Sequence, residues 1–565
     1  MSGAALATRF PRRELLKAGG ALLVGFALPL RAQEPQGVAL VLGPDQPEQN
    51  SLDTWLAIHA DNTATVFHGY VELGQGATTA LLQIAGDELD LTLDQMRVAR
   101  LTTGRAPNQG ATAASAAIML GGPRVRAAAA EARQALLRRA AERLGAPVEQ
   151  LHVTAGVVSV GGQSGTAVSY GELLGDQPFD VPFTGTAPVK PPSDYRLVGA
   201  RLPRKDIPAK AAGTYEYLQH VRVPGMLHGR VVRPPGQSSC AEGARVATLD
   251  ETSIRHVAGA RVVRRGDFVG VVAPREWDAV RAARELRIAW ETKAALPSST
   301  GVFGQMRAAA TIDRVVLETG DAAAAVRSAA HVIAQSYRAP YQAHAPFAPN
   351  CALAEARGDE VRVTCGTQNL YETRAKLARV AGVAVENVHV EYRESSGTFG
   401  RSCFDDAAEA AVILSQAVGA PVRVQFMRAD EHGWDNFGPA QLADVRMASD
   451  DAGKLVAYEF EGWQHGWTTV ETSEQLALGT APAEITGPIA MEVSPRNLGS
   501  MYAIANRRLV NRRVPGIVGY LKAANLRSPL DIGWSFASEQ TIDELAALAR
   551  LDTYEFRRRN IADER

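Results

Sequence analysis

Two hydrophobic periods alternate along the chain. Residues 55–66 form a strand-like run, and residues 80–89 carry apolar positions at helical spacing. Residues 123–144 are rich in alanine and arginine. Pro123 suits a helix start and Gly145 a helix stop, so a helix is expected between them. The β-branched runs at 227–232 and 267–273 predict strands, residues 276–286 a helix, and residues 361–364 another strand. The mixture predicts an α+β protein of several domains. Residues 33–50, rich in Pro, Gln and Gly, read as a linker. Residues 51–195 form a first segment. Pro188, Pro191, Pro192 and Pro203 mark its border with a compact unit over 213–291. A joint near 296–300 opens the remainder, 305–565.

Between these elements lie stretches with the composition of ligand loops. Gly74 and Gly76 flank Gln75 where the first strand-like run meets the first helix. Glycine lets backbone approach a ligand closely, and a helix start offers unpaired N–H groups to an anion. That combination suits a phosphate-bearing cofactor; a simple tight turn is the plain alternative. Residues 341–351 carry Gln342, stiffened by Pro346 and Pro349. Residues 365–369 place Thr367, Gln368 and Asn369 just after a strand. In residues 395–401, Gly397 and Gly400 bracket Phe399, which sets an aromatic face beside exposed backbone. Residues 525–529 offer Arg527, able to pair with an oxyanion.

Charge narrows the picture. A formal net charge of −1 gives no basic excess for nucleic acid. The N-terminus differs: Arg12 and Arg13 precede a short apolar run that ends near Ala32, the pattern of a twin-arginine export signal over residues 1–32. Periplasmic location follows, with association at the membrane as a variant. Cys240, Cys351, Cys365 and Cys403 show neither C-x-x-C nor zinc-ligand spacing. Buried, inert thiols are expected rather than an iron–sulfur cluster.

The order of these stretches resembles the molybdenum-binding subunit of the xanthine dehydrogenase/aldehyde oxidase family, in the branch of isoquinoline 1-oxidoreductase beta subunits. The likeness runs from about Trp55 to Asn560. It includes residues 72–76, residues 112–115, Gln342, residues 367–369, Phe399 with Gly400, Arg527, and the closing stretches 542–546 and 554–560. The resemblance implies a multi-domain α+β subunit whose residues 213–291 form a small α/β "hammerhead" domain. It implies a molybdopterin cofactor carrying molybdenum, in cytosine dinucleotide form, and no iron–sulfur or haem group in this chain. Leu73, Gly74, Gln75, Gly76, Ala114, Ser115, Gln368, Phe399 and Gly400 would contact that cofactor. Gln342 would sit beside the metal without ligating it, and Arg527 would stabilise developing negative charge. No side chain would ligate the metal directly. The implied reaction hydroxylates an N-heteroaromatic or aldehyde with water as oxygen donor. Electrons would leave through a 2Fe-2S subunit, with a cytochrome c as onward acceptor. The few charges in the candidate loops suit a neutral planar substrate.

Two departures qualify the match. Ser396 and Thr398 stand where the family loop has glycines. The family's general-base glutamate lies in a late Gly-Glu motif with no equivalent before Arg565, and Glu539 is not in such a motif. A split subunit, a shortened product or a non-catalytic assembly subunit each account for this. A carbohydrate hydrolase is disfavoured, because no loop holds a pair of carboxylates.

Overall fold

The computed structural model describes residues 47–562 except 162–165, 235–243, 292–297, 396, 404, 468–469, 482–497, 516–519 and 530. The export-signal reading, most of the linker, Cys240 and Ser396 lie outside the described residues.

The run at 55–66 is two strands, not one. Leu56–Ile58 and Ala64–Val66 pair antiparallel. Asn62 turns the chain between them at φ 60°, and its N–H reaches the His59 carbonyl (2.9 Å). An Asp-Asn pair is a turn signal that overrides continuous hydrophobicity, since Asn tolerates the left-handed region. Met96–Val98 adds a third, parallel strand. Helices Ala77–Leu89 and Gly121–Leu144 pack on this small sheet. Their alanine-rich inner faces (Ala128, Ala129, Ala132) close a core around Trp55, Leu81 and Leu136. The long helix ends at Gly145 in the left-handed conformation, as its sequence predicts.

Strands Leu227–Val232 and Phe268–Ala273 and the helix Glu276–Glu285 form where the pattern placed them. Their sheet does not stop at residue 291. Leu227–Val232 pairs in parallel with Val422–Gln425, giving one seven-stranded mixed sheet. It also holds Arg261–Arg265, Cys351–Arg357, Glu360–Cys365 and Val388–Tyr392. Helix Asp406–Val418 lies across this sheet, with ten of its thirteen residues buried. Val231, Phe268, Val363, Ile413 and Val424 therefore share one core. A separate five-stranded sheet takes strands Ile312–Thr319, His331–Ala339, Gln441–Ser449, Leu455–His465 and Asn506–Val514. Helix Asp531–Leu548 packs on it through Trp534, Ile542 and Leu545. The architecture is mixed α+β. Among the described residues no helix is long and apolar enough to cross a membrane.

Candidate cofactor site

Five loops from distant parts of the chain converge on a cleft of about 470 Å³. Leu73, Gln75, Gly76, Ala114, Ser115, Gln368, Phe399, Gly400 and Arg527 all line it. The cleft thus collects most residues that the sequence marked. Gly74 does not line it; its carbonyl accepts from Arg204 Nη1 (2.8 Å).

Gln342 lies elsewhere. The short ladder Gln342–Ala343 with Phe437–Gly438 sets it opposite Gly438. A Cβ on Gly438 would come within 2.7 Å of Leu526 Cδ2, so glycine there lets residue 526 pack against the ladder. Gln342 faces a small cavity that Leu526, Ser528 and Pro529 also line. These same residues line the cleft, so segment 526–529 borders both spaces. Gln342 and the residues of the cleft thus line two adjoining spaces.

The Gly-Gln-Gly corner is also more self-contained than expected. Gly76 caps the helix Ala77–Leu89 at φ 83°. The Glu72 carboxylate accepts from the N–H groups of Gly74 (2.9 Å), Gly76 (2.8 Å) and Thr78 (3.1 Å). A side-chain anion thus holds amides that the sequence pattern alone leaves free for a ligand. The Gln75 amide folds back on its own loop, bonding Val71 O (3.0 Å) and Leu73 N (2.5 Å). Arg204 lies over this corner, its Nη2 3.6 Å from Glu72. Glu72 could have been found from its spacing to the glycines. Arg204, 130 residues from Gly74, left no local signal.

The opposite wall is held by buried polar groups. Phe399 is left-handed at φ 57°, and its carbonyl accepts from Arg527 N–H (2.6 Å). The Arg527 guanidinium lies 5.0 Å from the centre of the Phe399 ring, a cation–π contact. Gly400 has φ 108°, and a Cβ there would sit 2.5 Å from Asn525 O. Arg401, fully buried, donates to Glu431 (2.6 Å). Glu431 also accepts from the N–H of Asn350 (2.6 Å) and from Arg428 (2.6 Å). One carboxylate thereby joins the Phe399 loop to the Gln342 loop. His344 sets Nδ1 3.0 Å from the Asn436 carbonyl and Nε2 beside the Asn525 carbonyl, and the neutral ring, with one N–H, donates to one of the two at a time. Burial pulls its pKa down to about 4, against the pull of the Asn525 carbonyl. Burial likewise pushes the Cys351 and Cys403 thiols up to about 11 and Cys365 well above its ordinary range. These three are free cysteines, with the thiol held protonated.

Ala77, Ala80, Ala116, Ala117, Ile118 and Leu526 give the cleft an apolar face beside the polar side chains of Thr112, Thr398, Asn525 and Ser528. Arg527 is the one charged side chain lining it among the described residues, and no carboxylate lines either space. Glu539 is engaged by Tyr502 (3.0 Å) and Arg557 (2.9 Å) and lines neither. Among the described residues Asn525 Oδ1, beside the cleft, is buried without a partner. Left-handed backbone at Ala114, Ser115, Phe399 and Gly400, an orphaned acceptor and one cation fit a large, partly anionic, planar group.

Comparison with known proteins bears on the same loops. Residues 32–219 and 307–561 each match a molybdopterin cofactor-binding domain family. The chain is 37% identical over 559 residues to a nicotinate dehydrogenase component of Pseudomonas putida, covering 98% of this chain and 46% of that protein. It is 29% identical over 452 residues to the beta component of isoquinoline 1-oxidoreductase from Brevundimonas diminuta, covering 70% and 57%. The chain therefore spans about half the length of these curated relatives. The solved aldehyde oxidoreductase from Desulfovibrio gigas shares the fold, with a TM-score of 0.52 at 20% identity, over 66% of this chain and 44% of that one. Two matched domain families, whose spans hold the two walls of the cleft, make this chain a member of the molybdenum-binding subunits of the xanthine dehydrogenase/aldehyde oxidase family.

Proposed function

We propose that this chain is the cofactor-holding part of a molybdenum hydroxylase that oxidises an N-heteroaromatic or aldehyde substrate with water as oxygen donor. The observation that carries the reading is the convergence of Leu73, Gln75 and Gly76 with residues 113–117, 398–400 and 525–529 on one cleft. Its relatives include proteins named for nicotinate and isoquinoline oxidation, which favours the heteroaromatic class. When bound, the molybdopterin group supplies oxygen-transfer and two-electron chemistry. This chain's residues do the rest. Leu73, Gln75 and Gly76 of the corner, with residues 114–115, would hold the pterin and its phosphates, in cytosine dinucleotide form. Phe399 and Gly400 wall the reacting end. Arg527, steadied over Phe399, holds negative charge that develops on the substrate. The apolar wall excludes water from a flat ring. Gln342 would act from the adjoining space, across segment 526–529. Electrons pass to a separate 2Fe-2S subunit and onward to a cytochrome c. Residues 1–32 direct the folded protein to the periplasm.

The test is metal and nucleotide analysis of protein purified from its own host, followed by turnover with an artificial electron acceptor. Molybdenum and cytosine nucleotide near one per chain are expected. Arg527→Ala is expected to lower kcat/KM by 100-fold or more, about 2.7 kcal/mol or more of transition-state stabilisation. Well-folded protein that lacks both molybdenum and nucleotide would refute the proposal. A second reading, a non-catalytic cofactor-holding or assembly subunit, is favoured by the lack of a carboxylate lining either space among the described residues. A fully loaded complex without turnover on any heteroaromatic or aldehyde would select it.

A further inference from the structure

We infer that Thr398 is a positioning residue that sets the spacing between the two walls of the cleft, through a hydrogen-bond chain from Thr398 to Gln368 to Thr112 to Val71. The inference rests on the cofactor-binding reading of the cleft. Thr398 Oγ1 donates to Gln368 Oε1 (2.9 Å). Gln368 Nε2 donates to Thr112 O (2.9 Å). The Thr112 N–H returns to Gln368 O (2.8 Å), and Thr112 Oγ1 accepts from the Val71 N–H (2.8 Å). All four residues are buried. Thr398 belongs to the Phe399 wall, and Val71 leads into the Gly-Gln-Gly corner opposite. The chain therefore crosses beneath the cleft from one wall to the other.

Its polarity is determined at each link. Thr112 O can only accept, so the Gln368 NH2 group must face it. Gln368 Oε1 then faces Thr398 and needs a donor. A hydroxyl supplies one; a side chain without a donor does not. Thr398 Oγ1 also receives the Gly400 N–H at 3.4 Å, so the same hydroxyl helps orient the residue after Phe399. Gln368 has both ends of its amide occupied, which makes it a strut of the site before it is a ligand contact. The Thr398 hydroxyl thus supplies a tie across the cleft.

Hydrogen exchange on the full-length chain without cofactor tests this. Thr398→Val removes the hydroxyl at nearly constant volume. It is expected to raise exchange about tenfold in the peptides that contain the Val71 and Thr112 amides, on the far wall, while Thr398→Ser restores native rates. Gln368→Glu keeps an acceptor for Thr398 and loses the donor to Thr112. It is expected to raise exchange at Val71 and Thr112 and to leave residues 399–401 unchanged. This second variant decides the matter should Thr398→Val fold poorly. Native exchange at Val71 and Thr112 in both Thr398→Val and Gln368→Glu would overturn the inference. So would a Thr398→Ser protein that behaves like Thr398→Val. On loaded complex, Thr398→Val is expected to release molybdenum about tenfold faster on dialysis, and Thr398→Ser at the native rate. Native release from Thr398→Val would count against the tie as a determinant of cofactor retention. Wild-type protein that carries no molybdenum would refute the functional proposal and leave the exchange result standing.

Discussion

Single positions carry the sharpest consequences. Gly400 combines φ 108° with a backbone oxygen 2.5 Å from where a Cβ would lie. Gly400→Ala must therefore bear left-handed strain and a clash with rigid backbone, roughly 2–4 kcal/mol together. Gly74 has φ 99° but open space around it, so Gly74→Ala should cost only about 1 kcal/mol. Urea unfolding of the two variants side by side checks the ranking. His465 gives a pH signature. It stacks on Tyr520 at 4.6 Å; its Nδ1–H reaches the Gly466 carbonyl, and its Nε2 accepts from Tyr341 Oη (2.6 Å). That arrangement suits the neutral ring, and burial lowers its pKa from 6.5 to about 4. As pH falls through 6.5 the unfolded chain takes up a proton that the folded chain refuses. This contribution to stability is intact above 6.5 and is lost progressively toward 4. By pH 5 the loss from this one group is roughly 2 kcal/mol. His465→Phe should show a smaller drop in unfolding free energy between pH 8 and pH 5 than the native chain. At this scale the sequence was informative about residue type. Glycines at 74, 76 and 400 and the cation at 527 were legible because backbone freedom and charge are properties of the residue itself.

Elements decide what the residues can reach. The helix Ala77–Leu89 could be read from its period, but the satisfaction of its first turn by Glu72 could not, because a carboxylate five residues upstream competes with any ligand only once the loop has closed. The hairpin at 56–66 was hidden for a related reason: hydrophobicity is continuous across a turn whose signal is one Asp-Asn pair. Glu431 is the clearest structural element-to-element joint. It sits on the helix Arg428–Trp434 and binds Arg401, Arg428 and the Asn350 backbone. Glu431→Ala would leave the buried Arg401 guanidinium without its main partner, costing about 3–5 kcal/mol. Thermal unfolding should show that loss, and exchange should increase on both the 344–350 and the 398–403 segments. A local effect confined to the helix would argue against the joint.

At the scale of the molecule, sheet continuity is the controlling feature. Strands from residues 227–273 and 351–425 share one sheet and one apolar core. A fragment covering residues 213–291 would expose the edge that pairs with Val422–Gln425 and remove Val363, Ile413 and Val424 from the core that Val231 and Phe268 share with them. Expressed alone, it is expected to show no cooperative urea transition. A fragment with a sharp transition of its own would show that the shared sheet is dispensable for that unit. The sequence alone determined a handful of elements (the helices that became Ala77–Leu89, Gly121–Leu144 and Glu276–Glu285, and the strands Leu227–Val232 and Phe268–Ala273) and the family that its loops resemble. Periodicity, caps and residue chemistry act over a few positions and leave a local trace. Only the tertiary structure decided that Gln342 faces a space beside the cleft, that Glu72 and Gln368 spend their hydrogen bonds inside the protein, and that a sheet crosses the expected boundary at residue 291. Those outcomes depend on pairings between groups up to 256 residues apart, and which donor meets which acceptor is settled only when the packed chain brings them together.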